Sequence, residues 1–469
     1  MKLRIDNLGI LYSADLEIGD LTVICGKNNT GKTYATYAIY GLLRSWRRLS
    51  QDILPRVSST ELAETGKTTI DLSDVVLKRW NSYCSTIAKR FQASLPSVLA
   101  ADYERFTNTR LQITIPPPQN IRDIELDGIK GNDSNKSSGL LSYKKEKDSF
   151  HLTFSLLSND RDSLSNRAVT ALANELLQDL FFAPAFPTPF MASTERTGAA
   201  IFQGELNFSR TRILEALASS VKNNSKVRPQ DILPAVLNEF DPRYALPVQD
   251  NVDFVNRLGS LSHQKSELAV KHPDLLADFQ NIIGGEYKVS RNAVSFVPKK
   301  TRTKLSLGES SSAVRSLLDV GFYLQHQAKT GDLLMIDEPE LNLHPENQRL
   351  ITRLLTRIVN SGIKVLITTH SDYIAKEINI LSLLDKHPNP TLLSELGYHT
   401  SECISGSRIN VFITHKRDIK KSESARRTSS VNVISKVPPL IDGGFDWPSF
   451  DTTIEDQNHS LRKIFDLLD

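Results

Sequence analysis

GKNNTGKT, residues Gly26–Thr33, is the stretch on which the reading of this chain turns. It fits G-x-x-x-x-G-K-[ST] at every fixed position, directly after the apolar run LTVIC and before a helical pattern from about Lys32 to Leu49. The chemistry asks for these residue types. Gly26 and Gly31 permit backbone angles that turn several N–H groups inward, toward phosphate oxygens. The helix that comes next presents the positive end of its dipole to the same anion. Lys32 is placed to reach the β- and γ-phosphates, and the Thr33 hydroxyl to ligate Mg²⁺. The expected nucleotide-binding set is Gly26, Lys27, Asn28, Asn29, Thr30, Gly31, Lys32, Thr33 and Tyr34, with ATP and Mg²⁺ as the ligands.

Far downstream, LLMIDEPE sets four apolar residues before Asp337 and Glu338, a buried strand that delivers two carboxylates at its carboxyl end. Asp337 is expected to hold the metal with Thr33. Glu338 is expected to polarise the attacking water. A second apolar strand, VLITT, ends at His370, 32 residues after Glu338, with a helical stretch and a Ser-Gly turn between them. That spacing predicts adjacent parallel strands, both aimed at the γ-phosphate, with His370 hydrogen-bonding it and sensing its loss. The catalytic set is therefore Glu338, His370 and Lys32.

KLSLGESSSAVRSLL precedes the acidic strand by about 30 residues. Here the chain resembles the ABC ATPase superfamily, whose signature reads L-S-G-G-Q or L-S-G-G-E; Leu307 stands in place of the first glycine. The resemblance implies that Ser306, Leu307, Gly308 and Glu309 cap the γ-phosphate held by a second copy, so that ATP pairs two protomers. A helix N-terminus suits such an anion, and Ser306 can also serve as a helix cap there. The fold class implied is α/β: an ABC-type P-loop nucleotide-binding head with an inserted helical and β subdomain.

Lys32 and Ser306 lie about 270 residues apart, too far for a transporter subunit, and no sustained heptad pattern marks SMC-type arms. DEPELNLHPENQ and TTHSDYIAKEI resemble the OLD/RecF-like bacterial branch (AAA_15 and AAA_21), with His344 and Pro345 where transporters carry their D-loop. The OLD nucleases add a Toprim domain with a D-x-D pair. Asp442, Asp446 and Asp451 do not form one, so the chain reads as an ATPase without its own nuclease. In that form it resembles the ATPase subunit of two-gene antiphage systems such as PARIS or Septu, which implies a separate effector, nuclease or toxin, as partner. A DNA-repair clamp of RecF/SMC-like type is the alternative.

Residues 1–50 and 290–385 are expected to form the head, and 51–289 a mixed insert with a core strand near 181–196. Residues 386–469 are expected to form a less regular C-terminal extension. Residues 60–105 read as helical, 110–157 as β around the polar stretch KGNDSNKSSG, 208–282 as mainly helical, and IEDQNHSLRKIFDLL as a short terminal helix. Arg196, after the core strand, has two readings: a contact to nucleotide or dimer partner, or a surface salt bridge. Gln203 is a candidate Q-loop glutamine. The basic stretches HKRDIKKSESARR (His415–Arg427) and PKKTRTK (Pro298–Lys304) could contact nucleic-acid phosphates, though the first reads more readily as a solvated loop. A net charge of +3 decides neither. With 39% hydrophobic and 24% charged residues, the composition is that of an ordinary globular protein able to bury a core. Three scattered cysteines, no leader-like start and no long apolar run imply a cytoplasmic protein outside any membrane.

Overall fold

The computed structural model describes the chain except residues 56, 119–120, 133–138, 158–165, 203–243, 291–292, 421–427, 442, 448–457, 461 and 464–469. Gln203, Asp442, Asp451, most of the polar tip near 133–138, the second half of the basic stretch after Lys420 and most of the terminal helix therefore lie outside the described residues. The fold is mixed α/β, as the sequence indicated, and the chain divides into two compact units.

One unit comprises Ile5–Gly41, Leu95–Thr109 and Thr188–Asp469. Its sheet contains β1 (Lys2–Leu8), β2 (Leu11–Glu17), β3 (Leu21–Cys25), β9 (Pro189–Ala192), β13 (Leu333–Asp337), β14 (Lys364–Thr369), β15 (Ile409–Lys420) and β16 (Thr428–Val437). Their lateral order is β1-β2-β16-β15-β3-β14-β13-β9. The five strands from β15 to β9 are mutually parallel. Every residue of β3 and β13 is buried, which is why these strands read as unbroken apolar runs rather than alternating ones. Helices Pro345–Asn360 and Asp372–Lys386 bury Ile351, Leu354, Leu355, Ile374 and Ile378 in the same core. Among the described residues, no helix is long and apolar enough to cross a membrane.

The tail departs from expectation. It holds β15 and β16, and β15 pairs in parallel with β3, Phe412 opposite Ile24 and Ile413 opposite Cys25. The segment expected to be an irregular extension thus supplies interior strands of the head. Ile409 and Val411–Thr414 are buried, whereas His415–Asp418 pair with β16 and are exposed, so their charges mask the strand pattern. His415, Lys416 and Arg417 of the basic stretch are exposed on this strand rather than in a loop.

The other unit comprises Met1–Arg4, Leu42–Ser94 and Arg110–Pro187. It contains β4 (Lys67–Asp71), β5 (Arg110–Thr114), β6 (Leu126–Asn132), β7 (Gly139–Lys145) and β8 (His151–Leu156), with β4-β8-β7-β6 forming an antiparallel sheet. Trp80 stacks on Phe182 and Trp46 on Phe186, at centroid distances of 5.4 and 5.5 Å. Lys67–Asp71 interrupts the stretch expected to be helical, because Gly66 ends helix Ser59–Thr65 in a left-handed turn and the β-favouring Thr-Thr-Ile comes next. Residues 51–289 are accordingly not one insert: Leu95–Thr109 and everything from Thr188 belong with the head.

Phe412 is fully buried in the middle of the sheet. Phe412→Ala is expected to destabilise the head by about 3–5 kcal/mol, read from the midpoint of urea unfolding. A cost below about 1 kcal/mol would place β15 outside the core.

Candidate functional site

Strand register gathers the motifs. Cys25 lies opposite Thr369, Asp337 opposite Thr368, and Ile336 opposite Ala192, so β3, β14, β13 and β9 all end at one carboxyl edge. Gly26–Thr33, His370, Glu338 and the Ser193–Arg196 loop leave those four strand ends in turn. Open α/β sheets place their ligands at this edge.

The glycine loop is built as its sequence requires. Gly26 and Gly31 take φ of 139° and 99°, and Asn29 is left-handed at 59°. A β-carbon on Gly26 would sit 2.0 Å from Thr414 Oγ1, so only glycine fits beside β15. Thr30 donates to Lys27 O at 2.7 Å and shares a 2.6 Å hydrogen bond with Thr414. Lys27, Asn28 and Asn29 are exposed at the loop tip, Thr33 is exposed at the start of helix Lys32–Leu49, and Tyr34 is half-buried. Lys32 is buried, and its ammonium donates to the carbonyls of Gly26 (2.8 Å) and Lys27 (3.0 Å). Burial pulls its pKa down, against the opposing pull of Glu338, Asp337 and Glu340.

Asp337 is 2% exposed. One carboxylate oxygen accepts from the Thr368 hydroxyl; the other is buried without a hydrogen-bond partner among the described residues. Burial lifts its carboxyl to about 6, despite the Thr368 hydrogen bond. A buried carboxylate oxygen without a hydrogen-bond partner among the described residues suits a divalent cation.

Glu338 holds a left-handed backbone at φ 54°, unusual for a residue with a side chain and more so before a proline. Its N–H donates to Thr368 O (3.2 Å) and Oγ1 (3.1 Å). His370 Nδ1 lies 3.3 Å from Glu338 Oε1 and 3.4 Å from Glu340 Oε1. The His370 hydrogen bond holds the Glu338 carboxyl below its usual range, and the same bond raises the imidazole. Glu340, which motif reading passed over, is 6% exposed and accepts from Thr369 Oγ1 and His370 N, both at 2.8 Å. It anchors the histidine to the acidic turn.

Arg196 is fully buried and takes neither role offered by the sequence. Its guanidinium donates to Ser316 O (2.6 Å), Ser193 O (2.7 Å), Asp337 O (2.7 Å) and Glu338 O (2.8 Å). Asp319, also buried, faces it; neither of its carboxylate oxygens is hydrogen-bonded among the described residues, and burial pushes that carboxyl up to about 7. Charge at such a depth needs partners, and the strand order that brings β9 beside β13 supplies them.

Ser306–Glu309 stand apart on an edge of the small sheet formed by β10 (Gly285–Ser290), β11 (Ala293–Pro298) and β12 (Leu305–Ser306). Ser306, Gly308 and Glu309 are exposed and Leu307 is half-buried. Ser306 N and Oγ donate to Glu309 Oε2 at 2.8 and 2.7 Å, bonds that lower the Glu309 carboxyl. Ser306 closes a strand; the residue that caps the next helix, Ser312–Ser316, is Ser311, five residues on. His344 caps helix Pro345–Asn360 through Nδ1.

Glu338 and Glu195 press on Asp337 from the acidic side and Arg196 from the basic side. Because its folded pKa lies above the ordinary carboxylate value, its protonated form favours the fold, and that stability is lost as pH rises through about 6. Without nucleotide or metal, Asp337→Asn should melt higher than wild type at about pH 8 and level with it near about pH 4. A melting difference that stays the same at all pH values would contradict the raised Asp337 carboxyl.

The chain is similar to three solved SMC heads. The Smc head bound to the C-winged helix domain of ScpA shares 9% identity, covering 92% of this chain and 97% of that chain, at a TM-score of 0.33. The Smc head with an extended coiled coil bound to the C-terminal domain of ScpA, from Pyrococcus furiosus, shares 10%, covering 99% and 98%, at 0.31. The SMC head domain from Thermotoga maritima shares 10%, covering 93% and 98%, at 0.28. No curated protein matches the sequence. The AAA_15 family, described as an AAA ATPase domain, matches residues 1–375, which hold the glycine loop, the acidic pair and His370, and the chain belongs to that family.

Proposed function

We propose that this protein is an ABC-type ATPase that closes as a pair around ATP and opens on hydrolysis. The observation that carries the reading is the shared carboxyl edge, where the glycine loop, the acidic turn and His370 leave neighbouring strands and Asp337 keeps one carboxylate oxygen unpaired among the described residues. Thr33 and Asp337 would hold Mg²⁺, which supplies charge neutralisation for the phosphates. Lys32, now bound to two loop carbonyls, exchanges them for phosphate oxygens, helped by the inward N–H groups of Gly26–Thr33 and the helix dipole. Glu338, kept ionised by His370, takes the proton of the attacking water. Glu340 and Thr369 hold His370 where it meets the γ-phosphate.

The signature, exposed and hydrogen-bonded mainly to itself and Arg315, is available to a second copy. Ser306, Leu307, Gly308 and Glu309 of one protomer would cap the nucleotide of the other. ATP then holds the pair together, because contacts to the γ-phosphate disappear on hydrolysis. The output we assign is control of a separate effector, a nuclease or toxin, in antiphage defence. Supporting it, β15 and β16 of the tail are committed to the ATPase sheet.

Lys32→Ala is expected to abolish nucleotide binding, read with a fluorescent ATP analogue. Glu338→Gln is expected to bind ATP, lose hydrolysis by about a hundredfold or more and sediment as an ATP-dependent dimer. Turnover equal to wild type in Glu338→Gln, or a monomer under saturating ATP, would overturn the assignment.

A further inference from the structure

A chain of hydrogen bonds runs inside one head from the signature to the acidic turn. Arg315 donates to the carbonyls of Leu307 (3.2 Å) and Gly308 (3.4 Å) and to that of Ser310. The next residue, Ser316, presents its carbonyl to Arg196 Nε at 2.6 Å and its hydroxyl to Leu341 O at 3.0 Å, just past the acidic turn. The other end of the Arg196 guanidinium holds the carbonyls of Asp337 and Glu338. Four hydrogen bonds to backbone acceptors fix this planar group, which is closed to bulk solvent.

We infer that Arg196 is a positioning residue that couples the signature segment to the catalytic carboxylate of the same chain. The inference rests on the ATPase reading above. Glu338 keeps a left-handed backbone, and such strain persists only where neighbours over-determine it. Thr368 holds the N–H side of that residue and Arg196 the carbonyl side. A shift of the signature loop against a partner's nucleotide moves Arg315, Ser316 and the guanidinium, and with them the Glu338 carbonyl. Each head thereby relays the state of the nucleotide it caps to the nucleotide it cleaves, so the two sites of the pair fire together. The guanidinium touches no reacting atom in this scheme; it acts through Glu338.

The test uses the full chain with Arg196→Met and Arg196→Lys, reading kcat, KM, the dissociation constant of a non-hydrolysable ATP analogue, and thermal melting. Arg196→Met should lower kcat by about a hundredfold while analogue affinity stays within about threefold. Arg196→Lys, which keeps the charge but not the fork, should recover part of that loss. Ser306→Ala should lower kcat in the wild-type background and add little in the Arg196→Lys background, since both changes cut one relay. If Arg196→Met does not fold, Arg196→Lys and its combination with Ser306→Ala decide alone. Unchanged kcat in Arg196→Lys, a loss confined to KM or analogue affinity, or effects of the two substitutions that multiply would each overturn the coupling. A wild-type chain that hydrolyses no ATP overturns the ATPase reading along with it; an active wild type beside an unimpaired Arg196→Lys overturns the coupling alone.

Discussion

Parallel pairing in register among β3, β14, β13 and β9 is the constraint on which the rest of the molecule depends. Hydrogen bonding sets Cys25 opposite Thr369 and Asp337 opposite Thr368, so that the glycine loop emerges beside two polar turns that lie about 300 residues further along the chain. A one-residue slip would turn each strand's side chains to the opposite face and misplace every motif at once. The slip is resisted by burial on both faces: Val23, Ile24, Leu334, Met335, Ile336, Val365 and Leu366 are essentially inaccessible to water. The apolar interior thus fixes polar chemistry at its rim, and β15 extends the logic by closing the other side of β3.

Legibility in the sequence tracked how local each piece of chemistry is. The glycine loop is contiguous, and its glycines, lysine and threonine each answer a requirement that a short window displays. The acidic pair and His370 were readable for the same reason, since each ends an apolar run that a buried parallel strand must have. Thr414 was not. Its value lies in touching Thr30 and crowding Gly26 from the far side of the sheet, and nothing near residue 414 announces that. The charged run just after it made an interior strand look like an irregular tail. Arg196 reads from sequence as a contact to nucleotide or dimer partner or as a surface salt bridge; only the placement of β9 beside β13 makes it a buried bridge. Glu340 sat in plain view in DEPE, and its spacing to the Thr-Thr-His turn was the available signal.

Threonines carry more of the site than motif reading suggests. Thr368 bonds Asp337 and the Glu338 amide, and Thr369 bonds Glu340, on opposite faces of one strand end. A β-branched residue satisfies the strand's conformational preference while its hydroxyl reaches a neighbour. Two adjacent threonines therefore serve both sides of β14 without breaking it. Valine would preserve the strand and remove the hydroxyl donors to Asp337 and Glu340.

The charge pattern explains why this turn is built to change partners. Asp337, Glu338, Glu340 and Asp319 crowd around Lys32 and Arg196, and three of the four carboxylates keep at least one buried oxygen without a hydrogen bond among the described residues. Such a cluster is costly when isolated and settles when cations or protons arrive. Arg196 cannot leave, because its donors are committed to backbone carbonyls. Lys32 can, because its present acceptors are carbonyls of the very loop that a phosphate would reorganise. In the proposed reaction, the fixed cation therefore holds the geometry and the movable one would meet the phosphates. This division comes from which of the two is fully buried among rigid acceptors.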